Sequence, residues 1–352
     1  LTGDPQQDYF SDGLTEEIIA ALSNVPKLFV IARNSTFTYK GKPVKVQQVS
    51  EELGVRYVLE GSVRKSGDEI RITAQLVDAI NGHHLWAESY DGDLSDIFAV
   101  QEEITKKIIS ALQVKLTEGE DARVAAKGTN NLQAYLKYLE AKELFYKHTP
   151  EDCTLARKLV EEAVALDPGY ASAYYIQSRT HILDVWFGTS KSPKASMAKA
   201  KQLLQKAIAL DDGYADAHAF LGWLSVMTKQ YDEALAHGEK AVALNPNSSE
   251  SHMYYGKILT QVGKYQESIL ELQKAIRLNP KPSNVYLYSL GLSYCFDGQY
   301  DQAIEWCERA VRQEPDALSA RLFLALTYSL SGRDEMARVE AAEVLRIYPM
   351  FS

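Results

Sequence analysis

Spacing constrains this chain more than any single residue does. Gly222, Gly256, Gly291 and Ala325 recur at intervals of 34, 35 and 34 residues, and Pro246, Pro280, Pro315 and Pro349 keep the same intervals. Small residues fall twelve positions after each marker (Ala234, Ser268, Ala303, Ala337), and a second set falls nineteen after it (Ala241, Ala275, Ala310, Val344). A fixed period in this range signals one supersecondary unit that buries its apolar face only by stacking on its neighbours. Small side chains at two fixed places in each period predict two helices that cross closely. Proline after an apolar stretch such as residues 241–245 predicts the end of the second helix.

This pattern is similar to the tetratricopeptide repeat. Two less regular copies precede the four clear ones, ending at Asp167-Pro168 and at Asp211-Asp212, the latter with an insertion around residues 185–197. About six repeats are therefore expected over residues 132–352. The first helix of each pair should line a concave inner face. Alignment on the markers sends Asp216, Trp223 and Met227 inward from one repeat and Met253, Lys257 and Gln261 from the next. Tyr288, Leu292, Cys295 and Phe296 follow, then Leu322 and Leu326; Tyr175 and Arg179 take the same place in an earlier copy. The surface is apolar and aromatic with a polar band. It suits a peptide or helix better than an acidic tail, because Arg179 and Lys257 alone approach a basic row. Trp223, Tyr288 and Phe296 can serve either as contact anchors or as inter-repeat packing.

The first 118 residues follow other periods. Leu14, Ile18, Ile19 and Leu22 lie on one helical face, with Asp12 as a candidate cap. Residues 28–32 form a short apolar run, expected as a buried strand. Val46, Val49 and Leu53 mark a second helix stopped by Gly54. From Val55 the period becomes two, with turns at Ser66-Gly67-Asp68 and Asn81-Gly82 and a third strand at 84–90. Ile97, Val100, Ile104, Ile108 and Leu112 then stripe a helix that starts at Asp96. A run as apolar as 28–32 calls for strands on both sides, and residues 1–11 are too polar to supply one, so a first strand is expected upstream. The fold class is thus an α/β domain at 1–118, a mixed sheet with flanking helices. A linker at 119–131 and an all-α repeat superhelix follow, making the chain predominantly helical overall.

Composition excludes several functions. The net charge is −9, with 14 Lys+Arg against 20 Asp+Glu in residues 1–127 and 24 against 27 beyond, so no basic stripe supplies counterion release and no nucleic-acid partner is expected. No run reaches the ~18–20 apolar residues of a membrane span. The three cysteines, Cys153, Cys295 and Cys307, make neither a disulfide framework nor a zinc site and lean toward a reducing compartment. His83 and His84 point to opposite faces of a strand. Asp91, Asp93 and Asp96 lack the spacing of a calcium loop and read better as a polar loop with a helix cap. Cys295 is a candidate thiol on the inner face with nothing cationic beside it in sequence. No phosphate loop, nucleophile elbow or metal site emerges, so no catalytic residue, metal or cofactor is expected.

Specific strings add a resemblance. Gly3-Asp4-Pro5 and Tyr9-Phe10-Ser11-Asp12-Gly13-Leu14-Thr15-Glu16-Glu17 resemble the start of the TolB-amino-terminal-like domain of bacterial signalling proteins. The strings from Val30 to Phe37, from Tyr57 to Arg64 and from His84 to Glu88 resemble its later blocks. Followed by tetratricopeptide repeats, the arrangement is similar to the C-terminal region of bacterial class III adenylate/guanylate cyclases, and also to CadC/ToxR-like regulators. The resemblance implies an apolar strand before Gly3 and a piece of a longer protein whose catalytic domain is elsewhere. The expectation is a non-catalytic regulatory region of a cyclase, cytoplasmic, with a protein or peptide in the repeat groove and a homodimer formed through the full-length protein. The alternative is the ligand-sensing region of a regulator, periplasmic in that case, with a small molecule at the domain junction.

Overall fold

The computed structural model describes residues 8–117, 121 and 128–350. It is an α/β domain followed by helical repeats, and the described residues hold six successive helix pairs after the sheet. No described helix is long and apolar enough to cross a membrane. The chain divides into two compact units, Leu1–Ala217 with Leu244–Asn247, and His218–Ala243 with Ser248–Ser352.

The first unit opens with α1 (Asp8–Ser23), which buries Phe10, Leu14, Ile18 and Leu22. Because this helix starts at Asp8, Asp12 is not its cap. It lies one turn inside, and its carboxylate binds Lys40 at 2.7 Å. A short helix α2 (Arg33–Thr36) and then α3 (Val46–Leu53) follow. Gly54 ends α3 at φ +67°, the left-handed cap that glycine adopts without strain. Strands β1 (Tyr57–Ser66), β2 (Glu69–Asp78) and β3 (His83–Asp93) pair antiparallel in that order. The central strand β2 buries Ile70, Ile72, Ala74 and Leu76 in the alternation expected of it. Asp93 accepts from the Ser95 amide at 2.8 Å and so caps the turn into α4 (Ile97–Ala111). The acidic loop is therefore a helix start.

Residues 28–32 depart from expectation. They carry no strand ladder among the described residues, whose three strands pair antiparallel. Apolar β-branched character sets a preference for extended backbone, but a strand exists only where a neighbouring backbone edge pairs with it. The expected linker at 119–131 lies largely outside the described residues, as does the string from Gly3 to Pro5.

Within this unit the first repeat pair packs with the α/β elements and the second stacks on the first. They are α5 (Leu132–Lys147) with α6 (Pro150–Leu166), and α7 (Ala171–Trp186) with α8 (Pro193–Leu210). Asn131 and Thr149 cap α5 and α6 through side-chain oxygens, and Pro150 occupies a first-turn position where no N–H is needed. Helix α1 approaches α5 so closely that a Cβ on Gly13 would lie 2.5 Å from Leu139 Cδ2. Beside that contact Lys142, 8% exposed, reaches Glu16 at 3.0 Å and Glu17 at 3.5 Å. Tyr146 donates to Glu16 at 2.8 Å, and Arg33 lies 3.1 Å from the same carboxylate. Burial pushes the Glu17 carboxyl above the usual range, against the pull of Lys142. Burial alone would lower the Lys142 ammonium, but Glu16 and Glu17 outweigh it and hold it above its ordinary value. Asn247 donates to the carbonyls of Ser23 and Val25 at 3.2 and 3.1 Å, satisfying the end of α1.

The second unit carries the regular repeats. Helix α9 (Ala215–Met227) runs into it and is followed by α10 (Tyr231–Leu244), α11 (Ser249–Gln261), α12 (Tyr265–Leu278), α13 (Asn284–Phe296), α14 (Tyr300–Gln313), α15 (Leu318–Leu330) and α16 (Asp334–Ile347). The small residues sit where the spacing put them. A Cβ on Gly291 would meet Cys307 Sγ at 2.5 Å and the Ala303 carbonyl oxygen at 3.1 Å. Ala234, Ser268, Ala303, Ala241, Ala275 and Ala310 are fully buried. The turn between the two helices of a repeat is left-handed at Gly263, Gly298 and Gly332, with φ of 82, 80 and 75°. At the equivalent place the α9–α10 turn has Lys229, with φ 60°.

Two outcomes follow from these contacts. Lys142→Ala should cost about 1–3 kcal/mol in urea unfolding, because Glu17 loses its ammonium partner while Glu16 keeps Arg33 and Tyr146. Adding Glu17→Gln should recover most of that loss; a loss below ~0.5 kcal/mol for Lys142→Ala would show the pair to be solvated. Lys229→Gly should raise stability by roughly 0.5–1 kcal/mol by removing left-handed strain, and a fall in Tm would contradict this.

Candidate functional site

The face made by the first helix of each repeat is the candidate site. Its side chains fall into three groups. Tyr175, Met253 and Leu292 are buried and belong to packing. Trp223, Lys257, Tyr288, Leu322 and Leu326 are half-buried, as are Arg179 and Asp216. Met227, Phe296 and Gln261 are exposed. In the first unit Arg179 lies over the ring of Tyr175 on its own helix at 5.5 Å and over that of Phe145 on α5 of the preceding repeat at 5.4 Å, so it is stacked on packed aromatics.

In the second unit one register stands out. Each first helix ends on the residue five beyond its marker: Met227, Gln261, Phe296 and Leu330. Three of these four are large apolar side chains, exposed by 42, 42 and 48% for Met227, Phe296 and Leu330. Isolated exposed apolar residues are ordinary on protein surfaces. Recurrence at one register of a stacked array makes a row. Lys257 lies beside it with its ammonium 3.9 Å from the Trp223 ring centroid, linking α11 to α9 by a cation–π contact worth about 0.5–1 kcal/mol. Tyr288 packs on Phe323 at 5.4 Å and Phe296 on Tyr265 at 5.7 Å between ring centroids. Tyr288 thus serves inter-repeat packing, while Phe296 combines a packed edge with an open face.

Sequence reasoning missed a second set of positions. A residue four before each marker on the first helix meets the residue nineteen later on the second. These pairs are His218 with His237, Nδ1 to Nδ1 at 2.8 Å, His252 with Glu271, and Arg321 with Glu340 at 2.7 Å. The fourth pair, Leu287 and Trp306, shares an apolar cluster instead. The constant nineteen-residue offset was readable, but the residue types change from repeat to repeat and hide it. Between repeats, Thr260, Ser268 and Ser293 form a buried hydroxyl cluster with contacts of 2.8 to 2.9 Å.

The chemistry of the thiols is inert. Cys295 and Cys307 are buried, and burial raises both, Cys307 to about 12; Cys153 is held at about 11 by the same cause. Cys295 therefore carries no thiolate for nucleophilic chemistry near neutral pH. Among the described residues no three His, Cys, Asp or Glu side chains group as a metal site would require. Glu88, on β3 with His84, binds Lys107 at 2.9 Å.

Comparison with known proteins sorts the two halves. Tetratricopeptide-repeat profiles match residues 215–248, 249–282 and 285–317. The chain carries a C-terminal tetratricopeptide array. Residues 4–110 match the second domain of HilA/YgeH-like transcriptional regulators. That match replaces the TolB-amino-terminal resemblance of the first-domain strings. A curated relative named "Putative adenylate cyclase 3", from Rhizobium meliloti (strain 1021), is 47% identical over 193 residues, which is 54% of this chain and 33% of the relative. The match thus spans about a third of that protein's length. Among solved structures, a chain of the APC/C hetero-tetramer Cut9–Hcn1 aligns with a TM-score of 0.50 at 18% identity, over 73% of this chain and 51% of that one. A thermophilic TPR protein of Thermus thermophilus aligns at 0.44 and 18%, over 56% and 99%. At 18% identity the first likeness speaks to the fold alone.

The exposed and buried members of the face should separate on substitution. Met227→Ser and Phe296→Ser should each change unfolding free energy by no more than about 0.5 to 1 kcal/mol, as exposed positions do. Met253→Ala and Leu292→Ala should each cost about 2–5 kcal/mol. Chemical denaturation distinguishes these outcomes, and equal costs would dissolve the division.

Proposed function

We propose that this chain is the non-catalytic, protein-interacting region of a bacterial transcriptional regulator of the CadC/ToxR-like kind. The observation that carries the reading is the match of residues 4–110 to a HilA/YgeH-like regulator domain in a chain whose residues 215–317 match tetratricopeptide repeats. The first-helix face of the second unit docks a protein or peptide segment. Met227 and Phe296 supply exposed apolar anchors, with Trp223, Lys257 and Gln261 beside them. Apolar anchors with a polar surround are the usual composition of a docking patch. Occupancy regulates only if the partner binds one state of the whole protein more tightly than another, because equal affinity shifts nothing.

A second reading has its own support. The 47% identity over 193 residues to a relative named as an adenylate cyclase favours the regulatory region of a class III nucleotide cyclase. In either case the fragment contributes binding rather than chemistry.

The complete protein decides between them. Assayed for retention of promoter DNA and for conversion of ATP to cyclic AMP, it should bind DNA and make no cyclic nucleotide; the reverse result would transfer the assignment to the cyclase. For the face itself, a displayed peptide library should yield ligands whose affinity falls at least about tenfold, roughly 1.4 kcal/mol, in the Met227→Asp/Phe296→Asp double variant. Unaltered affinity would remove the face from the proposal.

A further inference from the structure

The insertion between α7 and α8 is not explained by repeat packing. Helix α8 has 18 residues, whereas α10, α12, α14 and α16 have 14 each. Ala207 stands 34 residues before Ala241, and each helix ends three residues later, so the extra turn lies at the start of α8, at residues 193–196. Thr189 and Ser190 donate their amides to the Asp184 carbonyl at 2.9 and 3.1 Å. The hydroxyls of Ser190 and Ser196 meet at 2.8 Å. The connecting loop is thereby fastened to both helices.

Its charge is one-sided. Residues 185–210 contain five lysines and no aspartate, glutamate or arginine, in a chain of net charge −9. The near balance of charge beyond residue 127 conceals this run. Helix α8 buries Ala200, Leu203, Leu204 and Ala207. Away from that face Lys194, Lys199 and Lys206 are exposed, and the exposed positions between them are all alanine or glutamine. At 1.5 Å per residue the stripe is ~18 Å long. Lys191 is exposed in the loop before it, and Trp186, 50% exposed, ends α7 on the other side of that loop. Among the described residues these four lysines make no ion pair; Lys199 approaches the Gln202 amide oxygen at 3.4 Å. Asp184, the acid nearest in sequence before the loop, is bound by Arg157 at 2.6 Å.

We propose that this face docks on an anionic lipid bilayer, with Lys191, Lys194, Lys199 and Lys206 over the headgroups and Trp186 at the headgroup boundary. Charge selects the partner. Four unneutralised ammonium groups along one helix side attract a negative surface although the chain as a whole is acidic. The use of lysine alone narrows the choice. The planar fork of arginine serves bidentate recognition of a phosphate or carboxylate, whereas the mobile, hydrated lysine ammonium suits charge spread over a surface. Lysine is also depleted in protein–protein interfaces. An indole beside the lysines joins an apolar body to a polar N–H, the combination that the bilayer boundary accommodates. The contact is peripheral, since no described helix is long and apolar enough to cross a membrane.

Vesicle co-sedimentation of the 352-residue chain tests this. Vesicles of equal parts phosphatidylglycerol and phosphatidylcholine should retain the chain, and phosphatidylcholine alone should not. Retention should fall as sodium chloride is raised. The variant Lys191→Gln/Lys194→Gln/Lys199→Gln/Lys206→Gln should partition at least about 100-fold more weakly. Its circular dichroism should stay native, because all four positions are exposed. Binding should move the tryptophan emission to the blue, and Trp186→Ala should remove that shift. No retention on the anionic vesicles, equal retention on both kinds, an unshifted emission, or retention unchanged in the quadruple variant overturns the proposal. Retention of duplex DNA that the quadruple variant loses, with none of the anionic vesicles, gives the lysines to nucleic acid and overturns it as well.

Discussion

The repeats depend on one steric condition, the close crossing of two helices at positions that admit no large side chain. At Gly291 a single methyl would press on Cys307 and the Ala303 carbonyl. The buried alanines and Ser268 at the facing positions hold the same distance through the neighbouring repeats. Once that distance is set, the second helix of each pair is fixed, the left-handed turn joining them must form, and the next pair has a surface on which to stack. The orientation of the first-helix face, and so the row ending in Met227, Phe296 and Leu330, is a consequence of that crossing.

That condition explains why so much of the repeat region was legible. Small residues at fixed offsets record helix crossing directly, because nothing else in the chain demands them with that period. The β meander was equally plain, since its turns at Gly67 and Gly82 need the left-handed backbone that their sequences announce. Residues 28–32 were less legible for the opposite reason. Their composition describes a local preference, while pairing depends on backbone supplied from elsewhere. Asp12 failed as a cap because α1 begins a turn earlier and Lys40 claims its carboxylate.

The candidate face was legible in outline and not in detail. Periodicity assigned residues to the first-helix side but could not say which would be covered by the next repeat. Met253 and Leu292 disappear into packing, and Tyr288 is taken up by Phe323. The ion cluster of Glu16, Glu17, Lys142 and Arg33 left no sequence signal, since Lys142 stands 125 positions from Glu17 along the chain. It joins the first repeat to the α/β elements.

The paired positions nineteen residues apart carry a further implication. Imidazole with imidazole, imidazole with carboxylate, leucine with indole, and guanidinium with carboxylate all occupy the same seam. Each fastening joins the two helices of one pair, and the leucine–indole one also packs against Ala317 and Ala320 of the next repeat. Because the seam accepts such different chemistry at one offset, its residues can change from unit to unit while the small residues at the crossing keep the pitch of the stack.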